Sequence, residues 1–444
     1  MNHLLQETII LNNYNKLING NDFSEYPFWL NEVKKKSTQD FLNTGFPNEK
    51  GNEEWKYSNV KDLTNYVSNS ITSNNVSIDE RNINLDKFVI KDTNKIVFVN
   101  GIYSDNLTSI LSDQAVFSRF LNINEHKNEQ ILQQYFEIEL NDNTELKSLN
   151  TASFKDGAIL IFPKGYKSKR PFQIIFYSDD RSRNINLNNR IFVFADEDSE
   201  FELYEHHIQT NEAKNFSNTI TEIILSQNAL GRYVKLNNQN EDSFNISQGY
   251  IMQKEKSMFE AATFDFGGQF VRNGLEIILS EVESETVIDN LVLSNKLQNI
   301  INRVAIIHQA PYTSSSQKYK GIISGKGKSV FDGKITVAHN ANGVNSVQED
   351  KNMLLSSSSE AYAKPSFWIY CDDVKCSHGA TCGKIDEELL FYLRSRGFDK
   401  ETAEKILVNA FADEVILSIK NDYLKSYITK HVSSGIKSCL LEKD

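Results

Sequence analysis

Between roughly Lys87 and Tyr370 one texture recurs: short runs of β-branched and aromatic residues, punctuated by Asn, Gly, Asp and Ser. KIVFVNG, AILIFPKG, FQIIFYSDD, RIFVFADEDS, GRYVKLNN, LEIILSEVES, RVAIIHQA and GKITVAHN are examples. The runs arrive roughly every ten to fifteen residues, and no amphipathic helix between them is long enough to build repeated βαβ units. Many are apolar at three or four consecutive positions, which suits strands covered on both faces or stacked in layers. A sandwich of so many strands would need two sheets of awkward width. A coil of stacked strands lengthens freely, because each turn buries its inner face against its neighbours. No strict sequence period accompanies the runs. The expected fold is mainly β, a β-solenoid over residues 86–383.

Helical texture flanks it. In the N-terminal region, 1–85, Leu4, Leu5, Ile9 and Ile10 sit at helical spacing. A second apolar stripe follows in SEYPFWLNEVKKKSTQDFLNTGFP, ended by Gly45 and Pro47; EEWKYSNV at 53–60 breaks the period. Lys34, Lys35 and Lys36 read as a solvated helix face. In the C-terminal region, 384–444, IDEELLFYLRSRG places Leu389, Leu390 and Leu393 on one face, with acids in the first turn, arginines in the last and Gly397 as the stop. Asp399 then caps a second helix with Ala403, Ile406, Leu407, Ala410 and Phe411 as its buried stripe. The short link at 397–399 implies a helix hairpin, and a third helix is expected through DYLKSYITKHV.

The 444 residues are 39% hydrophobic and 24% charged, and no apolar run is long enough to cross a bilayer. MNHLLQETIILNNYNKLING lacks a basic leader, and Glu7 interrupts its apolar stretch, so a cytoplasmic protein is expected. Four cysteines do not make a disulfide framework; reduced thiols are expected. A net charge of -11 speaks against nucleic acid as the main ligand.

Three of those four cysteines fall within CDDVKCSHGATCGK, residues 371–384. If VKCSHGA closes the β body, residues two apart share a face, so Cys376 and His378 point the same way and Ser377 the other. Cys382 has the same parity, although Gly379 could bend the chain before it. Cys371, five positions before Cys376, faces the opposite side on an unbroken strand. A closed structural zinc site needs four ligands, and neither CxxC nor HxxxH is present. Small buried thiols suffice for Cys371 and Cys382. For His378, a ligand set completed by another chain fits better. SGKGKSVFDGK is a turn, because Ile322 stands where a phosphate loop needs glycine. His206 and His207 lie on opposite faces at the end of a strand, with a surface position as the default. His308 reads as a satisfied histidine, and Asp372–Asp373 as a turn or edge. A polysaccharide-active β-helix needs recurrent acidic positions along a groove, and the strands show none.

DDVKCSHGATCGKIDEELLFYLRSRGFDKETAEKILVNAFADE closely resembles the C-terminal signature of the SufB/SufD family, from the SUF iron–sulfur cluster assembly machine. HQAP at 308, KGIISGKGKSVFDGKITV at 320–337, VQEDKNMLLSS at 347–357 and GGQFVRNGLEI at 267–277 support it, with FVNG at 98–101 and EEWKY at 53–57 further back. The KCSHGAT wording favours the SufD side over SufB-like chains. The resemblance implies a right-handed parallel β-helix flanked by helical regions, pairing with a SufB-type paralogue and docking a SufC-type ABC ATPase. It also implies no enzymatic activity of its own, and a homodimer is the alternative when the chain is isolated. Cys376 and His378 match positions at the SufB–SufD interface, where a transient cluster forms as cargo; no cofactor is permanently bound, and a flavin in the complex is left open. Asp386 to about Leu417 matches the ATPase-docking region, with Leu390, Phe391, Tyr392, Arg394, Arg396 and Gly397 as contact candidates. Cys371 and Cys382 inherit no role, and Phe367–Trp368 replaces a more polar pair.

Overall fold

The computed structural model describes residues 26–47, 55–58, 60–69, 80–111, 115–125, 129–137, 145–210 and 213–443. The expected helix around Leu4 to Ile10 lies outside them.

The apolar runs do become strands, and from Gly157–Phe162 onward successive strands alternate between two sheets, of ten and nine strands among the described residues. Phe244 lies beside Phe270, Phe270 beside Asn299, Asn299 beside Lys328, and Lys328 beside Glu360, all in parallel register. Successive turns of this parallel β-solenoid therefore take 26, 29, 29 and 32 residues. The five strands involved hold ten residues each, so the variation falls at the corners and in the intervening strands of the other sheet, which run from eight residues in Met258–Asp265 to eleven in Val344–Leu354. That is why no strict period is visible in the sequence.

One corner has its own logic. Asp198, Asn228, Lys256, Glu283 and Tyr312 all have φ between 55° and 59°, and Gly343 follows at 73°. The N–H of each donates to a carbonyl of the next turn, as from Asn228 to Glu255, Tyr312 to Asn342 and Gly343 to Asp373. Left-handed backbone costs a side-chain-bearing residue energy. Here the inter-turn hydrogen bond holds it in place.

The solenoid has two unlike ends. At its start, Asn94–Val99 pairs antiparallel with the two-residue strand Ile102–Tyr103, and Val116–Arg119 pairs antiparallel with Gly157–Phe162. At its finish, Glu360–Ile369 and Val374–Gly383 are the terminal strands of the two sheets.

Inside, an apolar column runs from Ile96 through Phe162, Phe201 and Phe259 to Ile335 and Val344, with Phe162 and Phe201 stacked at 4.8 Å. Beside it runs a buried polar strip. His207 shares a 2.6 Å hydrogen bond with Glu205, which also accepts from Thr221 and Tyr233. Lys235 donates to Ser247 and Asn273, and Asn273 donates to Asp265.

Among the described residues the helices are α1 (Phe28–Thr44), α2 (Val60–Asn69), α3 (Glu129–Tyr135), α4 (Glu145–Ser153), α5 (Glu387–Ser395), α6 (Lys400–Ile416) and α7 (Asp422–Leu441). Helix α1 ends as expected at Gly45, whose φ of 72° suits glycine. Helices α3 and α4 were not anticipated within the β region. They belong to an N-terminal cap in which α4 packs on α1 and on two strands.

Three expectations are corrected. Lys34 is not on a solvated face: it is buried, donating to the carbonyls of Thr151 and Phe154 at 3.1 and 2.6 Å, while Lys35 and Lys36 face solvent. His206 and His207 do point to opposite faces near the end of the strand Glu200–Gln209, but both are buried and not at the surface. His206 contacts Gln173 and Tyr427 on the outer side, and His207 faces the lumen. The buried stripe of α6 is Ala403, Val408, Ala412 and Val415; Ile406 and Ala410 are exposed. This rotation follows from its seat, because Val408, Ala412 and Val415 pack with α7 and with Leu291, Leu293 and Ile322 on the outer face of the solenoid. Lys320 fixes that seat by reaching the Phe411 carbonyl and the Glu414 carboxylate.

Candidate functional site at the open end

The last turn holds the residues singled out by the sequence. Val374–Gly383 pairs along one edge with Val344–Leu354, and Glu360–Ile369 along one edge with Lys328–Val337. Among the described residues the outer edges of both strands are unpaired. A bare edge is a row of backbone donors and acceptors ready for another chain.

Register places the side chains. In Val344–Leu354 the even positions from Val344 to Asn352 are buried, so they face the lumen. Cys376 stacks on Ser346, His378 on Gln348, Ala380 on Asp350 and Cys382 on Asn352. All four therefore line the lumen mouth, and Gly379 does not break the strand. Cys376 and His378 share a face, as parity requires.

Cys371 is a correction. It precedes the strand, so strand parity does not govern it; it packs against the same apolar column as Cys376, and its thiol donates to Asn342 Oδ1 at 2.8 Å. Cys376 and Cys382, six residues apart on an extended strand, are separated by about 20 Å. Among the described residues no three His, Cys, Asp or Glu side chains converge to hold a metal ion. The self-contained zinc arrangement of Cys371, Cys376, His378 and Cys382 is thus not assembled.

His378 lies on the ring of Phe367 from the opposite sheet, with centroids 4.8 Å apart and planes 10° from parallel. Phe367 is a site residue that the sequence reading flagged without a role. Next to it Trp368, Ile369 and Tyr370 are exposed, with Lys334 over the indole at 5.2 Å. Burial pushes the Cys376 thiol up, partly offset by a hydrogen bond from the Ser346 backbone. Cys382 is raised by burial and then by the nearby Asp350 charge. Burial likewise pushes the Asp350 carboxyl up to about 7. These are protonated thiols at neutral pH, and a bound metal would have to displace their protons.

Helix α5 starts three residues after the strand. Asp386 caps it, accepting from the N–H groups of Glu388 and Leu389 at 2.8 and 3.0 Å. Its outward side is apolar: Phe391 is 73% exposed and Tyr392 53%, with the Arg396 guanidinium over the Tyr392 ring. Arg394, Arg396 and Gly397 are exposed, Gly397 at φ 97°. Leu390 is buried, while Leu389, expected on the same buried face, is half exposed. His308 is satisfied through both ring nitrogens, by Thr313 and Ser315. Lys326 and Gly327 sit in a turn between strands, and Asp372 and Asp373 in the bend before the last strand.

Residues 176–411 match the SUF system FeS cluster assembly SufBD core domain, and residues 13–174 match the SufBD protein N-terminal region. The chain belongs to the SufBD family. It is 28% identical to the iron–sulfur cluster assembly protein SufD of Escherichia coli over 401 residues, covering 90% of this chain and 91% of that protein. It is 26% identical to an iron–sulfur cluster assembly SufBD family protein of Synechocystis over 414 residues, 90% of each. SufB of Bacillus subtilis is 24% identical over 416 residues, 90% of this chain and 88% of that one. A role in SUF-system iron–sulfur cluster assembly follows from SufBD membership. Among the described residues no helix is long and apolar enough to cross a membrane.

Proposed function

We propose that this SufBD chain is a non-enzymatic scaffold subunit of the SufD type. Its open last turn pairs with a SufB-type paralogue, α5 and α6 dock a SufC-type ATPase, and Cys376 and His378 meet a nascent iron–sulfur cluster, the cargo, at the seam.

The observation that carries this reading is the position of Cys376 and His378 on one face of a strand whose outer edge is bare. Imidazole and thiolate are apt iron ligands, and two from one chain leave coordination for a partner to complete. Exposed Trp368, Ile369 and Tyr370 beside that edge supply apolar area for the same contact. The exposed Phe391–Tyr392 face supplies a second. Only Lys384, Ile385 and Asp386 separate the last strand from α5. A rigid-body movement of a docked ATPase would therefore act on the strand that carries the ligands.

The test is purification with endogenous partners and mass determination of the intact assembly, for wild type and His378→Ala. The expected result is a heteromeric complex in both, with cluster assembly lost in the variant. A wild-type assembly rate in His378→Ala would remove His378 from the mechanism. An isolated homodimer that never takes up a paralogue would overturn the pairing.

A further inference from the structure

The HQAPYTSS run, residues 308–315, takes no part in the scaffold role, yet it leads to Cys376. His308, Thr313, Ser315 and Ser346 are all buried. They form one hydrogen-bonded row: Thr313 Oγ1 lies 2.7 Å from His308 Nδ1, Ser315 Oγ 2.9 Å from His308 Nε2, and Ser346 Oγ 2.7 Å from Ser315 Oγ. Ser346 faces the lumen and is the in-register neighbour of Cys376.

The direction of each bond follows from the proton each group carries. Thr313 Oγ1 donates its only proton to the Ala310 carbonyl at 3.1 Å. It therefore accepts from His308, and the imidazole carries its hydrogen on Nδ1. Burial pushes this imidazole down to about 4, so it is neutral at neutral pH and Nε2 is bare. Nε2 takes the Ser315 proton; Ser315, its proton spent, takes that of Ser346. A hydroxyl has one proton and two lone pairs, so Ser346 Oγ can offer Cys376 only a lone pair. Paired strands stand about 4.8 Å apart, which brings Oγ and Sγ on one face within reach by side-chain rotation. The Ser346 N–H already reaches that sulfur.

We propose that His308 is a positioning residue for Cys376. Acting through Ser315 and Ser346, it draws the thiol hydrogen inward onto Ser346 Oγ and leaves a sulfur lone pair turned to the mouth. A thiol free to spin would present its hydrogen there as readily as a lone pair; the row removes that choice before a metal arrives. The role rests on the reading that Cys376 meets the cargo at the seam.

The experiment reads the S–H stretching band of the purified, reduced full-length chain by infrared spectroscopy, with Cys376 assigned from the Cys376→Ser difference. The Cys376 band is expected below that of the exposed Cys382. That shift should be lost in Ser346→Ala and reduced in Ser315→Ala, whose side chain lies two strands from the thiol. Nitrogen-15 spectra of labelled histidine should show His308, assigned from His308→Gln, as the Nδ1–H tautomer. In the complex with endogenous partners, Ser315→Ala should slow cluster assembly by roughly tenfold. An unshifted Cys376 band, an Nε2–H tautomer, or a band that Ser315→Ala leaves in place would overturn the proposal. So would a wild-type assembly rate in Ser315→Ala beside a loss in His378→Ala; wild-type rates in both strike the scaffold reading, which the band and the tautomer do not test. Should Ser315→Ala fail to fold, the Ser346→Ala band and the tautomer decide.

Discussion

The imidazole of His378 lies nearly parallel to the ring of Phe367, 4.8 Å away across the lumen mouth. The ring fixes the plane of an otherwise exposed histidine, and so the direction in which its nitrogens can offer a lone pair. Phe367→Ala is expected to cost only about 1 kcal/mol of stability, in keeping with aromatic stacking near a surface. Cluster assembly by the complex should fall while complex formation persists. Unchanged assembly kinetics in the variant would show that this contact does not orient the ligand.

Two buried histidines should remove stability on acidification, opposed by Asp350, whose raised carboxyl takes up its proton in the folded chain from about pH 7. His206 and His308 are buried, and burial lowers them from 6.5 to about 3 and about 4. The unfolded chain takes up the histidine protons below pH 6.5 and the folded chain does not, so their contribution is complete above 6.5. It is lost as pH falls from there toward 4 for His308 and toward 3 for His206. Each group then adds a slope of about 1.4 kcal/mol per pH unit. Urea midpoints between pH 7 and 5 test this, and His308→Gln should flatten the profile.

Gly343 has a φ of 73°, and a Cβ there would come 2.6 Å from the Tyr312 ring. Gly343→Ala should destabilise by about 1–2 kcal/mol through backbone strain alone, and the clash adds to it. In the Tyr312→Ala background the cost should shrink but not vanish, because the backbone term remains. Thermal melts of the two single variants and the double variant separate the terms.

On α5, neighbouring residues should behave oppositely. Phe391→Glu, at a 73% exposed position, should leave the melting curve in place and abolish ATPase co-purification. Leu390→Ala, at a buried one, should cost about 2 kcal/mol or more. An equal loss of stability in both variants would count against the docking assignment.

What could be read from the sequence follows the range of the forces involved. Strand runs such as LEIILSEVES declare themselves because their burial is local and continuous, and the number of runs favours a coil over a sandwich. Two-residue parity put Cys376 and His378 together, since an unbroken strand needs no other knowledge. Cys371 escaped because the strand begins after it. Lys34 and His206 were misplaced for a different reason: their partners, Thr151 and Phe154 for one and Tyr427 for the other, lie more than a hundred residues away. Nothing nearby in the chain signals that a charge or an imidazole will be satisfied inside. The stripe of α6 was off by a partial rotation, because which side of a helix is buried depends on where the solenoid and α7 approach it. Asp350 sits in VQEDKN, where polar residues occupy both faces and the apolar Val347 points outward, so its inward aim was not legible.

The antiparallel start of the solenoid sets a limit on growth. A short reversed strand gives an arriving chain little to extend, whereas the far rim invites extension along both sheets. Each molecule thus brings one adhesive terminus and one blunt one. Under the proposed pairing, two solenoids joined rim to rim would consume both invitations at once, so association would close at a pair instead of propagating into a fibre.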